Sequence, residues 1–241
     1  MADNIKHIVF LLLENQSFDR VLGCFGQGGD VDGVKGPGQV PYSNRDSNGL
    51  RAKTNTKQVN PDPKHEVRFA LEQLQNENSG FVFDFERNYP NSTTAERQEI
   101  MGYHPLGFLP ALHTLAGEFT ICDHWYSSLP GPTWPNRFFA LTGTCHGQAL
   151  MPEGWEDPQL ATYFDQTQDT IFDRLNEAHR SWRVYYYDFP SSLLLVHQRD
   201  VRNLIHYHRI DEFFRHCSNE PEFPDFAFIE PKYLGLLRIS F

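Results

Sequence analysis

The sequence predicts an α/β fold, a three-layer sandwich in which helices cover both faces of a mostly parallel sheet. Two observations carry this prediction. Short apolar segments of strand length alternate along the chain with segments whose apolar residues recur at helical spacing. The first apolar segment, residues 5–13, is almost continuous, which is typical of a central strand buried on both faces of a parallel sheet.

The next segment, residues 23–63, is rich in Gly, Pro, Asn and Asp and shows no periodicity. We expect a long irregular loop here, and loops of this length are commonly functional. Between Leu109 and Phe119 the apolar residues recur at helical spacing, which predicts a helix. Residues 121–125 then predict a short extended segment.

Two further helix and strand pairs follow. Thr170 and Asp173 have the spacing of a capping box and predict a helix, which is followed by a strand over residues 182–187. Apolar residues between Ile210 and Cys217 predict the second helix, and residues 226–229 predict the next strand. Because nothing marks a linker, we expect a single domain over residues 1–241.

Charge and hydrophobicity exclude several classes of protein. The chain has 21 Lys and Arg residues against 31 Asp and Glu residues, a formal charge of −10 and a pI near 5.5. This sign disfavours a nucleic-acid partner.

The apolar run near the N-terminus is far shorter than the ~18 residues of a transmembrane helix. It also lacks the pattern of a signal peptide, so we expect a cytoplasmic chain, with export left open if the N-terminus is incomplete.

The four cysteines are widely separated and form no Cys-x-x-Cys pair, which excludes metal-finger spacing. We expect buried thiols, or at most one disulfide.

The polar pair Glu14-Asn15 follows the first predicted strand. Functional sites in parallel α/β sheets assemble at the carboxyl ends of strands. A carboxylate next to an amide oxygen suits a hard divalent cation. The alternative is a strand-to-helix turn in which Asn15 or Ser17 caps the next helix.

A second candidate is Thr133, which lies between Pro132 and Pro135. Pro135 is acceptable in the first turn of a helix, so Thr133 is expected at a helix N-terminus. Unpaired N–H groups and the helix dipole favour a phosphate there, and they assist a hydroxyl nucleophile. The alternative is that Thr133 is a simple N-cap.

These motifs resemble the phosphoesterase family of bacterial phospholipases C and acid phosphatases, which includes plant non-specific phospholipase C. The matching segments occur in the family's order over nearly the whole chain; they are residues 5–9, 14–19, 115–119, 122–126, 131–137, 182–190 and 228–233.

The resemblance implies an alkaline-phosphatase-like fold and hydrolysis of a phosphoester or phospholipid. By position, it implies that Glu14, Asn15 and Thr133 bind a divalent metal ion and that Thr133 is the nucleophile, with a phospho-threonine intermediate. Asn136 would bind substrate. His65 and His208 would bind phosphoryl oxygens or protonate the leaving group, and His206 is the alternative to His208.

The sequence departs from the family at its end, because family members continue well beyond the segment at residues 228–233. The tail, residues 234–241, does not resemble that continuation, and we expect an incomplete fold and an incomplete metal site. Alternative functions are therefore a catalytically impaired fragment, or a non-catalytic binder of phosphate or lipid headgroups. A sulfatase or phosphomutase relative is a third alternative, although Thr133 does not supply the Cys or Ser that sulfatases commonly modify.

Overall fold

The computed structural model of the chain describes residues 5–13, 16–34, 53–54, 59–152 and 156–233. These residues divide into two compact units. The sheet unit contains the described residues up to Leu13 and from Thr133 onward. The helical unit contains the described residues from Gln16 to Pro132.

The described elements are numbered in chain order. The strands are β1 (Ile8–Leu11), β2 (Lys53–Thr54), β3 (Gly102–Tyr103), β4 (Trp182–Tyr186), β5 (Tyr207–Arg209) and β6 (Phe226–Ile229). The helices are α1 (Phe18–Val21), α2 (Val67–Gln73), α3 (Gln75–Asn78), α4 (Phe81–Asn88), α5 (Thr94–Ile100), α6 (Pro110–Glu118), α7 (Thr133–Thr142), α8 (Gln159–Phe164), α9 (Ile171–Glu177), α10 (Val201–Leu204) and α11 (Ile210–Cys217). Short 3-10 helices occur at Gly23–Gly28, Ser191–Leu194, Val196–Arg199 and Glu220–Glu222.

The sheet unit is built on four strands in the order β1-β6-β4-β5, and every neighbouring pair is parallel. Ile8 of β1 lies opposite Phe226 of β6, and Phe226 lies opposite Trp182 of β4. The parallel sheet confirms the predicted α/β class.

Helices pack on both faces of this sheet because side chains alternate along each strand. On one face, Trp182, Val184 and Phe228 form a buried cluster with residues of α7 and α9. On the other face, Tyr185 and Ile229 pack with Ile210 of α11. The three layers therefore agree with the sequence prediction.

The position predicted for the first strand is wrong. Among the described residues β1 pairs with β6 alone, so it is an edge strand and not a central one. Ile8, Val9 and Leu11 are 56%, 48% and 51% exposed. A continuous apolar run indicates a strand that could be buried on both faces, but it does not specify how many neighbours that strand has.

Most other predicted elements of the sheet unit are confirmed. Thr170 caps α9, and the side chain of Asp173 accepts the N–H of Thr170 in return, which completes the capping box. The predicted strands correspond to β4 and β6, and the predicted second helix corresponds to α11.

The helical unit contains the predicted helix α6, but with an unexpected orientation. Its buried residue is His113, whose Nδ1 accepts the N–H of Gly107 and whose Nε2 donates to the carbonyl of Val21. Leu115 and Phe119, which periodicity assigns to the core, are exposed. Two satisfied ring nitrogens make the burial of His113 acceptable. Residues 121–125 form no strand in the described chain.

The structure describes part of the predicted loop over residues 23–63. It begins with the 3-10 helix Gly23–Gly28, whereas residues 35–52 and 55–58 lie outside the described residues. All four thiols are free; Cys24 and Cys145 are buried as expected, but Cys122 and Cys217 are exposed. Within the described residues, no helix combines the length and the apolarity needed to cross a bilayer.

Candidate active site

The N-terminus of α7 lies where the sequence predicts it. Thr133 is the first residue of this ten-residue helix, and Pro135 lies in its first turn. The missing N–H of Pro135 costs little there, because the first N–H groups of a helix have no partner within the helix. Thr133 and Asn136 are both partly exposed, so a ligand can reach them.

Arg137 anchors this end of α7 to the sheet. Its side chain is 1% exposed, and it follows Thr133 by four residues, on the same side of the helix. Nη1 lies 3.3 Å from Oε2 of Glu230, and Nη2 donates to the carbonyl of Leu12 at 2.9 Å. These two contacts bind α7 to the residues that follow β1 and β6, at the carboxyl edge of the sheet.

Glu230 is fully buried and its carboxylate is well satisfied. It accepts hydrogen bonds from the hydroxyl of Ser191 at 2.9 Å, the N–H of Ser192 at 3.1 Å and the hydroxyl of Tyr233 at 2.6 Å. Burial, together with the negative charge of Glu230, raises the pKa of the Tyr233 hydroxyl, so it remains a donor. A buried carboxylate of this kind needs such donors and an arginine to offset its lost hydration.

The predicted metal ligands Glu14 and Asn15 lie outside the described residues, so their role stays a prediction. The alternative for this segment is confirmed in one respect. Ser17 caps α1, and its hydroxyl accepts the N–H of Arg20 at 3.2 Å.

His208 pairs with a side chain of α11. It lies on β5, at the edge of the four-stranded sheet opposite to β1, and its Nδ1 lies 3.1 Å from Oε2 of Glu212. Burial and the nearby Arg183 lower the pKa of His208. His206, its alternative, lies against the ring of Trp182 with ring centroids 4.3 Å apart, and burial lowers its pKa as well.

His65 belongs to the helical unit. It is exposed, and its Nδ1 lies 3.3 Å from the carbonyl of Pro63. Its role stays a prediction.

The structure also shows a cluster that no motif in the sequence indicates. Among the described residues, Asp169, Asp173 and His197 are the one group of three acidic, histidine or cysteine side chains whose ligand atoms all lie within 4.8 Å of one another. They line a cavity of about 550 Å³ whose lining residues are all polar or charged in type. Two carboxylates and an imidazole are suitable donors for a divalent cation. No sequence signal was available, because His197 lies 24 residues from Asp173.

The same side chains already have structural partners. Oδ2 of Asp173 accepts two hydrogen bonds from Thr170 and lies 3.2 Å from Nδ1 of His197. Asp169 pairs with Arg174 at 2.7 Å. The cluster therefore stabilises the start of α9 whether or not a cation is present.

The profile of the Phosphoesterase family matches residues 5–235. This chain belongs to the phosphoesterase family. It is 32% identical over 258 residues to non-specific phospholipase C4 of Arabidopsis thaliana, in an alignment covering 97% of this chain and 45% of the relative. It is 31% identical to non-specific phospholipase C3 of the same plant, covering 98% and 47%. Hemolytic phospholipase C of Pseudomonas aeruginosa is 27% identical, covering 76% and 26%.

This phosphoesterase chain spans about half the length of the plant relatives it matches. The relatives are named phospholipases C, which hydrolyse phosphoester bonds. The family assignment confirms the resemblance that the motifs indicated. The anchoring roles of Arg137 and Glu230 were not predicted, because 93 residues separate the two and neither belongs to a recognisable ion-pair motif.

Proposed function

We propose that this phosphoesterase hydrolyses phosphoric esters, of the phospholipid or phosphomonoester type, with Thr133 as the nucleophile. The observation that carries the proposal is the position of Thr133. It begins a ten-residue helix whose first turns are held at the carboxyl edge of the sheet by the buried Arg137–Glu230 pair. The family membership and the named relatives support the reaction class. We also propose one domain over residues 1–241, since the family match runs through both units.

The chemistry follows from the groups at this helix end. The N–H of Trp134 is directed at Sδ of Met151, 3.4 Å away. The positive end of the helix dipole therefore attracts the phosphate, and the amide of Asn136 adds a polar contact. The Oγ of Thr133 attacks phosphorus, the ester P–O bond breaks, and the leaving oxygen takes up a proton. Water then attacks the phospho-threonine, which releases phosphate or a phosphomonoester and restores the hydroxyl.

We propose that Glu14, Asn15 and Thr133 would hold a divalent metal ion. All three offer oxygen atoms, which fits a hard cation. When bound, such an ion neutralises phosphate charge and lowers the pKa of a coordinated hydroxyl. The Asp169, Asp173 and His197 cluster is a second group with suitable donors.

For His65 and His208 we propose the binding of phosphoryl oxygens or proton transfer to the leaving group, with His206 as the alternative to His208. Glu212 fixes the orientation of the His208 ring. His208→Gln should therefore lower turnover of substrates with poor leaving groups more than turnover of p-nitrophenyl phosphate, because a good leaving group needs little protonation.

The test is hydrolysis of p-nitrophenyl phosphate and of phosphatidylcholine with added divalent metals. We expect Thr133→Ala to lower kcat by about a thousandfold or more, as the loss of a nucleophile does. Thr162→Ala, at an exposed position in α8, is the matched control. Unchanged turnover in Thr133→Ala would refute the nucleophile, and full activity after chelation would refute the metal. Binding of phosphocholine without turnover by the unmodified chain would assign it instead to the non-catalytic binders.

A further inference from the structure

His216 is a buried histidine with two hydrogen-bond partners, and the proposed function does not use it. It lies on the inner side of α11 and is 2% exposed. Nδ1 lies 2.8 Å from the hydroxyl oxygen of Tyr185 on β4, and Nε2 lies 2.8 Å from Nη2 of Arg215.

These partners determine the protonation state of the ring. Arginine nitrogens only donate hydrogen bonds, so Nε2 of His216 must accept and carries no proton. The remaining ring proton is therefore on Nδ1, and it is donated to the oxygen of Tyr185. Neutral His216 in this single tautomer satisfies both contacts, whereas a doubly protonated ring would place an N–H against the N–H of Arg215.

Charged groups face His216 from each element packed around it. Arg183 on β4 and Arg215 on α11 are cationic, and the ring of His208 on β5 lies edge-on with centroids 5.5 Å apart. Oε2 of Glu212 and Oε2 of Glu222 lie 3.8 Å and 3.9 Å from Nε2. Burial first, and then the two arginines, lower the pKa of His216, although Glu212 opposes them.

We propose that His216 is an acid-sensitive latch that holds the C-terminal turn of α11 against β4 at neutral pH and releases it when Nε2 takes up a proton. The proton comes from solvent and displaces the Arg215 donor. Arg215 then loses its contact with His216 and keeps only its ion pairs with the exposed Glu212 and Glu222. The new N–H also attracts Glu212, which is the partner of His208, so the change extends to β5.

The direction of the pH dependence follows from the lowered pKa. Because the folded-state pKa lies below the ordinary value near 6.5, the unfolded chain binds a proton first as the pH falls. The contribution of the latch is thus complete above about pH 6.5 and is lost as the pH falls through the folded-state pKa.

Two measurements on the full chain test the latch. Histidine-ring NMR at about pH 7.5 should show the Nδ1–H tautomer for His216 and a titration midpoint below 6.5. Hydrogen exchange of peptides covering Ile210–Cys217 should accelerate about fivefold between pH 7.5 and 5.5, after correction for intrinsic rates. His216→Gln should abolish this acceleration, because its amide can accept from Arg215 and donate to Tyr185 without titrating. His146→Gln, at an exposed histidine, should retain it.

The proposal is overturned if the Nε2–H tautomer predominates at neutral pH, or if exchange of α11 in the unmodified chain is the same at both pH values. Acid acceleration that persists in a folded His216→Gln variant would also overturn it. If that variant fails to fold, the two measurements on the unmodified chain decide the question.

Discussion

Arg137 and Glu230 form the buried ion pair on which the candidate active site depends. The pair connects the first turns of α7 to the end of β6, and Arg137 also reaches the carbonyl of Leu12. The sequence could place Thr133 at a helix N-terminus, since flanking prolines are a local signal. The sequence could not predict that Arg137 is buried, because its partner Glu230 is distant in sequence.

Removing one member of this pair should be costly, because the other charge is then buried without compensation. We expect Arg137→Met to lower the free energy of unfolding by about 3–5 kcal/mol. Glu230 would keep its donors from Ser191, Ser192 and Tyr233, which places the loss toward the lower figure. Urea unfolding at neutral pH measures the change.

The matched control is Arg174→Met, since Arg174 pairs with Asp169 and Glu177 but is 59% exposed. Exposed pairs contribute roughly 0–1 kcal/mol, so this variant should remain close to the unmodified chain. Equal losses for the two variants would contradict the assignment of Arg137 as a buried anchor.

At the scale of elements, local signals predicted well and neighbour-dependent properties did not. The capping box of Thr170 and Asp173 correctly marked the start of α9, because a capping box is formed by residues three positions apart. The edge position of β1 and the outward face of α6 depend on which neighbours are present. An apolar pattern in the sequence indicates which residues favour burial, but it does not supply the surface that covers them.

Two helices begin with a threonine capping box, one exposed and one buried, so the contribution of burial to a cap can be measured. Thr93 caps α5 in an exposed setting, whereas the buried Thr170 caps α9 and also accepts a hydrogen bond from Gln198. We expect Thr93→Ala to cost about 0.5–1 kcal/mol and Thr170→Ala to cost about 1–2 kcal/mol. Urea unfolding should rank them in this order. A larger loss of unfolding free energy in Thr93→Ala than in Thr170→Ala would show that burial of the capping residue does not determine how much it stabilises the chain.

At the scale of the whole molecule, the sequence predicted the α/β class but not the division into two units. Unit boundaries often lie in linkers of distinctive composition. Here the second boundary lies between Pro132 and Thr133, inside the motif that carries the candidate nucleophile. The sheet unit is also discontinuous in sequence, because its first strand and its remaining elements are separated by the entire helical unit.

Among the described residues, the sheet unit has the larger apolar cluster around its buried cysteine, so we expect the two units to open at different concentrations of urea. Cys145 lies in a cluster of ten buried residues among those described in the sheet unit. Cys24 lies in the helical unit, in a cluster with Val34 and Tyr103 against which Phe25 packs. Because local opening exposes less apolar surface around Cys24, that thiol should become reactive first as urea is raised.

Alkylation at increasing urea, read by mass spectrometry of the individual cysteine peptides, measures this order. The exposed Cys122 and Cys217 should react without denaturant, and they serve as internal standards for the reagent. Cys24 should then be modified at a lower urea concentration than Cys145. Modification of both buried thiols at one concentration would instead mean that the two units unfold as a single cooperative body. The reverse order would mean that the sheet is the weaker unit despite its larger apolar cluster.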